Sequence, residues 1–194
     1  MKERPIAAGS SSFHLVDTNR LFSELILKDD TVFLDVACGN GAYSIAASRY
    51  IGQAGRIFAV DLWTEGIESL QREIRVKQVS NIYARVADVS KRIPLEDHSV
   101  DLCLMATVLH DLIQDKTDDG TLREIKRVLK PYGTLAIIEF KKIEGPPGPP
   151  IGIRMSPEQV KKHIYPYSFS IIKTMDIGAF NYLSLFESQN TQKH

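Results

Sequence analysis

Thr31–Asp61, TVFLDVACGNGAYSIAASRYIGQAGRIFAVD, holds two apolar runs on either side of a glycine-rich bend. Val32-Phe33-Leu34 has the unbroken apolar character of a buried parallel strand. It stops at Asp35, and Val36-Ala37-Cys38-Gly39-Asn40-Gly41 then turns into an Ala-rich helical segment. Gly39 and Gly41 permit a sharp turn and leave main-chain N–H groups open to a ligand that a Cβ would keep away. Arg56-Ile57-Phe58-Ala59-Val60 is the second strand, and it stops at Asp61. That acid comes twenty residues after Gly41, the offset of a carboxylate that grips a ribose diol. Strand, glycine turn, helix, strand and acid make half of a nucleotide-binding crevice.

Downstream the alternation continues. Thr64 to Lys77 has Ile67, Leu70 and Ile74 at helical spacing, and Ile82 to Ala87 is a third strand ending in Asp88. Val100 to Ala106 is apolar enough to be a central strand. A helix capped by Asp118 or Asp119 follows, with Leu122, Ile125, Val128 and Leu129 inward. Lys130-Pro131-Tyr132-Gly133 reads as a turn, and Thr134 to Phe140 as a fifth strand. Upstream, Asn19 is the expected cap of a helix with Leu21, Phe22, Leu25 and Ile26 on its apolar face. Such a helix either lies across the site as a lid or covers the sheet edge.

The C-terminal part changes character. Lys141 to Pro157 is rich in Pro and Gly, and Gly145 to Pro150 should be stiff and extended. Ser156-Pro157-Glu158-Gln159 reads as a capping box with Pro at the first helical position. Ser168–Asp176 and Tyr182–Phe186 read as a β-hairpin. The expected fold is therefore a Rossmann-like, doubly wound α/β domain. Its mostly parallel seven-stranded sheet has helices on both faces and ends in an antiparallel hairpin. Residues 13–194 are expected to form one domain, and residues 1–12, which lack periodicity, a flexible N-terminus.

The chain has 194 residues, with 24 Lys and Arg against 24 Asp and Glu. A chain of zero net charge has no overall field for a polyanion, which counts against nucleic acid as a partner. No apolar run is long enough to span a membrane, and no signal peptide opens the chain. Cys38 and Cys103 lack metal-ligand spacing, so reduced thiols in the cytoplasm are expected, and no metal.

Parallel strands bring Asp35, Asp61 and Asp88 to one rim. Beside the glycine turn, Asp35 could hold a positively charged amine. Asp61 could accept from two ribose hydroxyls, and Asp88 from the exocyclic amine of adenine, with the Val89 amide for a ring nitrogen. Singly, a strand-end Asp is more often a helix cap. A nicotinamide dinucleotide fits less well: its G-x-G-x-x-G fingerprint meets Ser44 here, and a carboxylate next to the turn repels a pyrophosphate while attracting an ammonium group.

L-D-V-A-C-G-N-G (34–41) resembles motif I of the class I S-adenosylmethionine-dependent methyltransferases, with Ala37 where the first of three glycines is commonest. V-D (60–61), A-D-V (87–89), V-D-L-C-L-M-A-T-V-L-H-D (100–111) and E-I-K-R-V-L-K-P-Y-G-T-L-A-I-I-E-F (124–140) resemble its later motifs, in order. The resemblance is strongest to the type 11, ubiquinone/menaquinone-biosynthesis-like branch. It implies S-adenosylmethionine as cofactor, S-adenosylhomocysteine as product and a small-molecule methyl acceptor. It also implies that Asp35, Ala37, Gly39, Asn40 and Gly41 surround the methionine part and Asp61 the ribose. Leu62 would lie against the adenine, Asp88 and Val89 at its edge, and Met105 beneath the sulfonium; Leu62 and Met105 also suit plain core positions. Phe13 would belong to a lid.

A base is needed only if the acceptor arrives protonated, and His110 is the candidate, because imidazole is half-ionised near neutral pH. Glu139 and Arg154 are candidates to face the acceptor; Glu139 also suits a structural role, and Arg154 would hold either an anionic acceptor or a neighbouring acid. Two other functions compete. One is a non-catalytic binder of the cofactor that senses or scaffolds. The other is a nucleic-acid methyltransferase, which the Val-Leu-His-Asp tract disfavours, since amino-group enzymes of that kind carry Asp- or Asn-Pro-Pro-Tyr there.

Overall fold

The structure is a computed structural model describing residues 11–190. Its strands are β1 (Val32–Val36), β2 (Arg56–Asp61), β3 (Ile82–Val86), β4 (Val100–Ala106), β5 (Leu129–Phe140), β6 (Phe169–Asp176) and β7 (Asn181–Ser188). Its helices are α1 (Thr18–Leu25), α2 (Ala42–Ala47), α3 (Thr64–Lys77), α4 (Leu109–Gln114), α5 (Asp118–Val128) and α6 (Pro157–Ile164). One seven-stranded sheet runs β3-β2-β1-β4-β5-β7-β6, parallel except where β7 pairs antiparallel with β5 and β6. The expected architecture is therefore observed.

Alternation along each central strand splits the core in two. Val32, Leu34 and Val36 of β1, Cys103 and Met105 of β4, and Leu135 and Ile137 of β5 pack on one face with α5 and α6. Phe33, Leu102, Leu104, Ala136 and Ile138 pack on the other with α1 and α2. Period-two side chains on a sheet covered on both faces require this. The same period puts Asp35 on the face of Phe33, under α2.

Several local expectations change. Asp17, not Asn19, caps α1, its side chain accepting from the Arg20 N–H. Ile26 follows the helix in a left-handed conformation and is exposed. The Lys130–Gly133 turn is a bulge inside β5: β4 pairs Val100 with Leu129 and then Leu102 with Thr134. α4, only six residues long, was not anticipated. The Ser156 capping box is present, with both its hydrogen bonds. Residues 1–10 lie outside the described residues, but Ser12 does not fit a mobile terminus: it is 4% exposed and shares a 2.9 Å hydrogen bond with the Tyr43 hydroxyl. Among the described residues no helix is long and apolar enough to cross a membrane.

Candidate active site at the strand ends

The C-terminal ends of β1, β2, β3 and β4 form one rim because the four strands are parallel neighbours. After β1 the backbone enters the left-handed region at Ala37 (φ 53°), Gly39 (φ 58°) and Gly41 (φ 75°). Gly41 is required by packing as well, since a Cβ there would meet Leu70 Cδ2 at 2.4 Å. At Gly39 a Cβ would meet nothing within 4 Å, so this peptide faces open space. After β4, Thr107 is also left-handed (φ 54°), an outlier for a β-branched residue. Its hydroxyl is within hydrogen-bond distance of the Ala106 carbonyl (2.8 Å) and of the Ser12 hydroxyl (3.0 Å), tying the N-terminal segment to the rim. Ala37 and Thr107 therefore place two strained non-glycine residues next to each other on this rim, as at many functional sites.

The strand-end acids differ from one another. Asp61 accepts from the Gly39 N–H and the Trp63 N–H, both at 2.7 Å, so it braces the glycine turn from the neighbouring strand. Each carboxylate oxygen keeps a second lone pair. Asp88 caps a turn: it accepts from the Ser90 N–H and hydroxyl and pairs with Lys91 at 2.9 Å. Val89 beside it is buried. Asp35 is 1% exposed and accepts from Ser44 Oγ at 2.6 Å, with no cation in the sites described. Burial pushes its pKa up to about 7, against the hydrogen bond from Ser44, and the nearby Asp61 charge adds to the rise. A carboxyl group in this position lacks a counter-charge.

Asn40, at the tip of the turn, is exposed, and Leu62 is 41% exposed directly beyond Asp61. Met105 is wholly within the core, so its side chain does not reach the rim. Phe13 packs edge-on against Tyr43, ring centroids 5.1 Å apart, at the same end of the molecule.

The residues around β5 depart most from expectation. Glu139 is fully buried and turned toward His110: its carboxylate accepts from His110 Nδ1 at 2.8 and 3.0 Å and from the His110 N–H at 3.2 Å. It does not face an acceptor. An acceptor-only carboxylate at Nδ1 leaves Nε2 as the free ring nitrogen, 3.6 Å from Asp111. Burial lowers the His110 pKa, but the hydrogen bond and charge of Glu139, with Asp111, outweigh it, and the net shift is upward.

Arg154 meets neither an acid nor an anion site. It is 2% exposed, and its five N–H donors go to the carbonyls of Lys141, Ile143, Gly145, Pro147 and Pro149. Alternate carbonyls converge on one guanidinium, so the Gly-Pro segment bends into an arc rather than running extended. Beyond His110, α4, the end of this arc and α6 enclose a cleft of about 740 Å³, lined by Ile113, Gln114, Met155, Lys162 and Tyr167 among others. Nothing in the spacing of these residues had pointed to it.

The family profile described as a methyltransferase domain matches residues 34–137, more than half of the chain. The chain belongs to that family. It is 31% identical over 141 residues to the ubiquinone/menaquinone biosynthesis C-methyltransferase UbiE of Neisseria meningitidis, which covers 71% of this chain and 54% of that protein. Against the demethylmenaquinone methyltransferase of Lactobacillus johnsonii it is 26% identical over 127 residues, 66% of this chain and 51% of the relative. The chain thus spans about half the length of the curated relatives it matches. A SAM-dependent methyltransferase from Aquifex aeolicus superposes with a TM-score of 0.84 at 27% identity, covering 96% of this chain and all of the other.

S-adenosylmethionine is the cofactor of this family, and the rim suits it in three respects. Gly39 has open space where a Cβ would stand, Asp61 retains acceptor capacity for a diol, and among the described residues no cation pairs with buried Asp35. Two expectations follow for this chain. Asp61→Ala should weaken S-adenosylhomocysteine binding at least about tenfold by calorimetry, the worth of a charge-assisted hydrogen bond; unchanged affinity in a folded variant would contradict the ribose role.

The second concerns pH. An ammonium ligand requires ionised Asp35, so affinity should rise as pH increases through about 7. The free protein should behave oppositely. A raised carboxyl pKa means that the folded state binds the extra proton, so stability falls as pH climbs from the ordinary carboxyl range toward about 7. Asp35→Asn should remove both trends, read by calorimetry and thermal melting across pH.

Proposed function

We propose that the protein transfers a methyl group from S-adenosylmethionine to a small-molecule acceptor seated in the cleft beside α4. One observation carries this reading: His110 stands next to the rim, three residues beyond the strained Thr107 that follows β4, and is part of the wall of the cleft. A group on the rim and a molecule in the cleft therefore meet at one side chain.

When bound, the cofactor supplies an electrophilic methyl on a sulfonium. The protein has three tasks. Asp35 and the Ala37–Gly41 turn hold the amino-acid end, with Asn40 at its tip. Asp61 holds the ribose, Leu62 covers an adenine face, and Asp88 and Val89 meet the adenine edge. Aligning acceptor, methyl and sulfur in one line is the principal catalytic contribution, worth up to about 7–11 kcal/mol.

His110 Nε2 accepts the proton of a protonated acceptor, and Glu139, which touches only the far side of the ring, keeps Nδ1–H in place and steadies the imidazolium. Ser12, Tyr43 and Thr107 bring the N-terminal segment, and Phe13 with it, over the rim and help to exclude water. The compartment we propose is the cytoplasm, in keeping with Cys38 and Cys103 as free thiols.

The test has two stages. Calorimetry should show binding of S-adenosylmethionine and S-adenosylhomocysteine but not of NADH. Labelled cofactor incubated with a metabolite panel should then pass its label to one small molecule. Binding without transfer to any acceptor would favour a sensor, and salt-dependent association with RNA or DNA would favour a nucleic-acid substrate.

A further inference from the structure

The cleft beyond His110 has an unbalanced charge. Its lining contains His110, Arg154, Lys162 and His163, and no Asp or Glu, in a chain whose total charge is zero. Three of these four groups are already occupied. His110 is held by Glu139, His163 pairs with Asp118 at 2.9 Å, and Arg154 spends every donor on backbone carbonyls.

Lys162 is different. Projecting from α6, its ammonium has no ion-pair or hydrogen-bond partner among the described residues. The remaining wall is mostly apolar, from Ile113, Ile153, Met155, Pro166 and Tyr167, with Gln114 and Gln159 as its uncharged polar groups. Apolar walls bury the body of a ligand while a few polar groups fix its orientation.

We infer that the cleft takes an acceptor bearing an oxyanion, a carboxylate or a phosphate ester, on an apolar body, and that Lys162 selects it. The inference rests on the cleft being the acceptor site. With the anion at α6 and the body along Tyr167 and Met155, the opposite end of the ligand is left facing His110. An uncharged lipid-like acceptor would leave the ammonium unused and gain only from the apolar wall. Lys162 is thus a specificity-determining residue, with no part in the proton transfer.

The test uses matched probes: 4-hydroxybenzoate, phenyl phosphate and uncharged 4-hydroxybenzamide, titrated by NMR into the full chain. At least one acid should bind about fivefold or more tighter than the amide, and the preference should weaken with salt. Whichever acid binds more tightly identifies the oxyanion. Lys162→Gln should abolish the preference and Lys162→Arg should keep it, with circular dichroism unchanged for both exposed-site variants. Equal binding of acid and amide, a preference that survives in Lys162→Gln, or binding of no probe would each overturn the inference. S-adenosylhomocysteine calorimetry on the same samples separates the two claims: its loss would sink methyl transfer while an anion preference at Lys162 would still stand.

Discussion

His110→Ala is expected to lower kcat by about 10²–10⁴-fold, the usual worth of a positioned general base, while S-adenosylhomocysteine affinity stays close to that of the parent. The imidazole sits beyond the cofactor rim, so its loss should be felt by the acceptor's proton and little by the nucleoside. The pH profile gives a sharper test.

Burial depresses the imidazole pKa; Glu139 and Asp111 raise it by more, Arg154 opposes them slightly, and the result lies above the ordinary 6.5. The basic form, and with it kcat, should therefore appear only as pH rises past that raised value. The stability contributed by the protonated pair runs the other way. It is complete below the ordinary imidazole pKa and is lost as pH rises through the raised one.

Glu139→Gln keeps an acceptor for Nδ1–H but removes the charge, so the acid limb of the rate profile should move to lower pH. An immobile limb would mean that another group sets it. A His110→Ala enzyme with full kcat would mean that the acceptor arrives without a proton to lose.

Arg154→Ala should cost about 3 kcal/mol or more, since it strips a buried cation of charged hydrogen bonds and leaves the carbonyls around it without partners. Five carbonyls from residues 141 to 149 point at one guanidinium, so the loss should be concentrated in that arc. Phe140 lies beneath the guanidinium, 5.7 Å from ring centroid to Cζ, and its ring meets His110 edge-on. The disturbance should therefore reach the cleft.

Chemical denaturation should report the lost stability, and limited proteolysis should cut the variant first between residues 141 and 154. Arg154→Lys has three donors in place of five and cannot span the ring of carbonyls, so it should fall between the parent and the alanine variant. Parent-like stability together with a protected loop in Arg154→Ala would show that water replaces the guanidinium at little cost.

Much of the rim could be read in advance. Asp61 closes β2, Asp88 follows β3 by two residues and Asp35 lies one residue before the end of β1, because a run of apolar residues breaks near where a chain leaves a buried sheet, and that is a local property. The glycine turn was equally local, since Gly39 and Gly41 sit where φ is positive. Met105 shows the limit of this kind of reading. The family resemblance put it beneath the sulfonium and its apolar character suited the core; alternation along β4 turns its side chain into the core, on a sheet covered on both faces.

Glu139 and Arg154 could each be read from the sequence as an acceptor-facing group or as a structural one. A charged residue among apolar neighbours looks like a surface group aimed at a ligand, and only the neighbouring elements show that its charge is already satisfied inside.

By itself the sequence determined the order of the strands and of every helix but α4, the antiparallel ending, the position of the glycine bend and the family, because periodicity, caps and turn residues act within a few positions of one another. Only the tertiary structure decided which acid meets which base. β4 and β5 lie side by side with Ala106 opposite Ile138, and that register sets Glu139 against His110 across 29 residues of chain. The Ser12–Thr107 hydrogen bond spans 95. A pairing of that range depends on strand order and register, which are properties of the assembled sheet and of no single stretch within it.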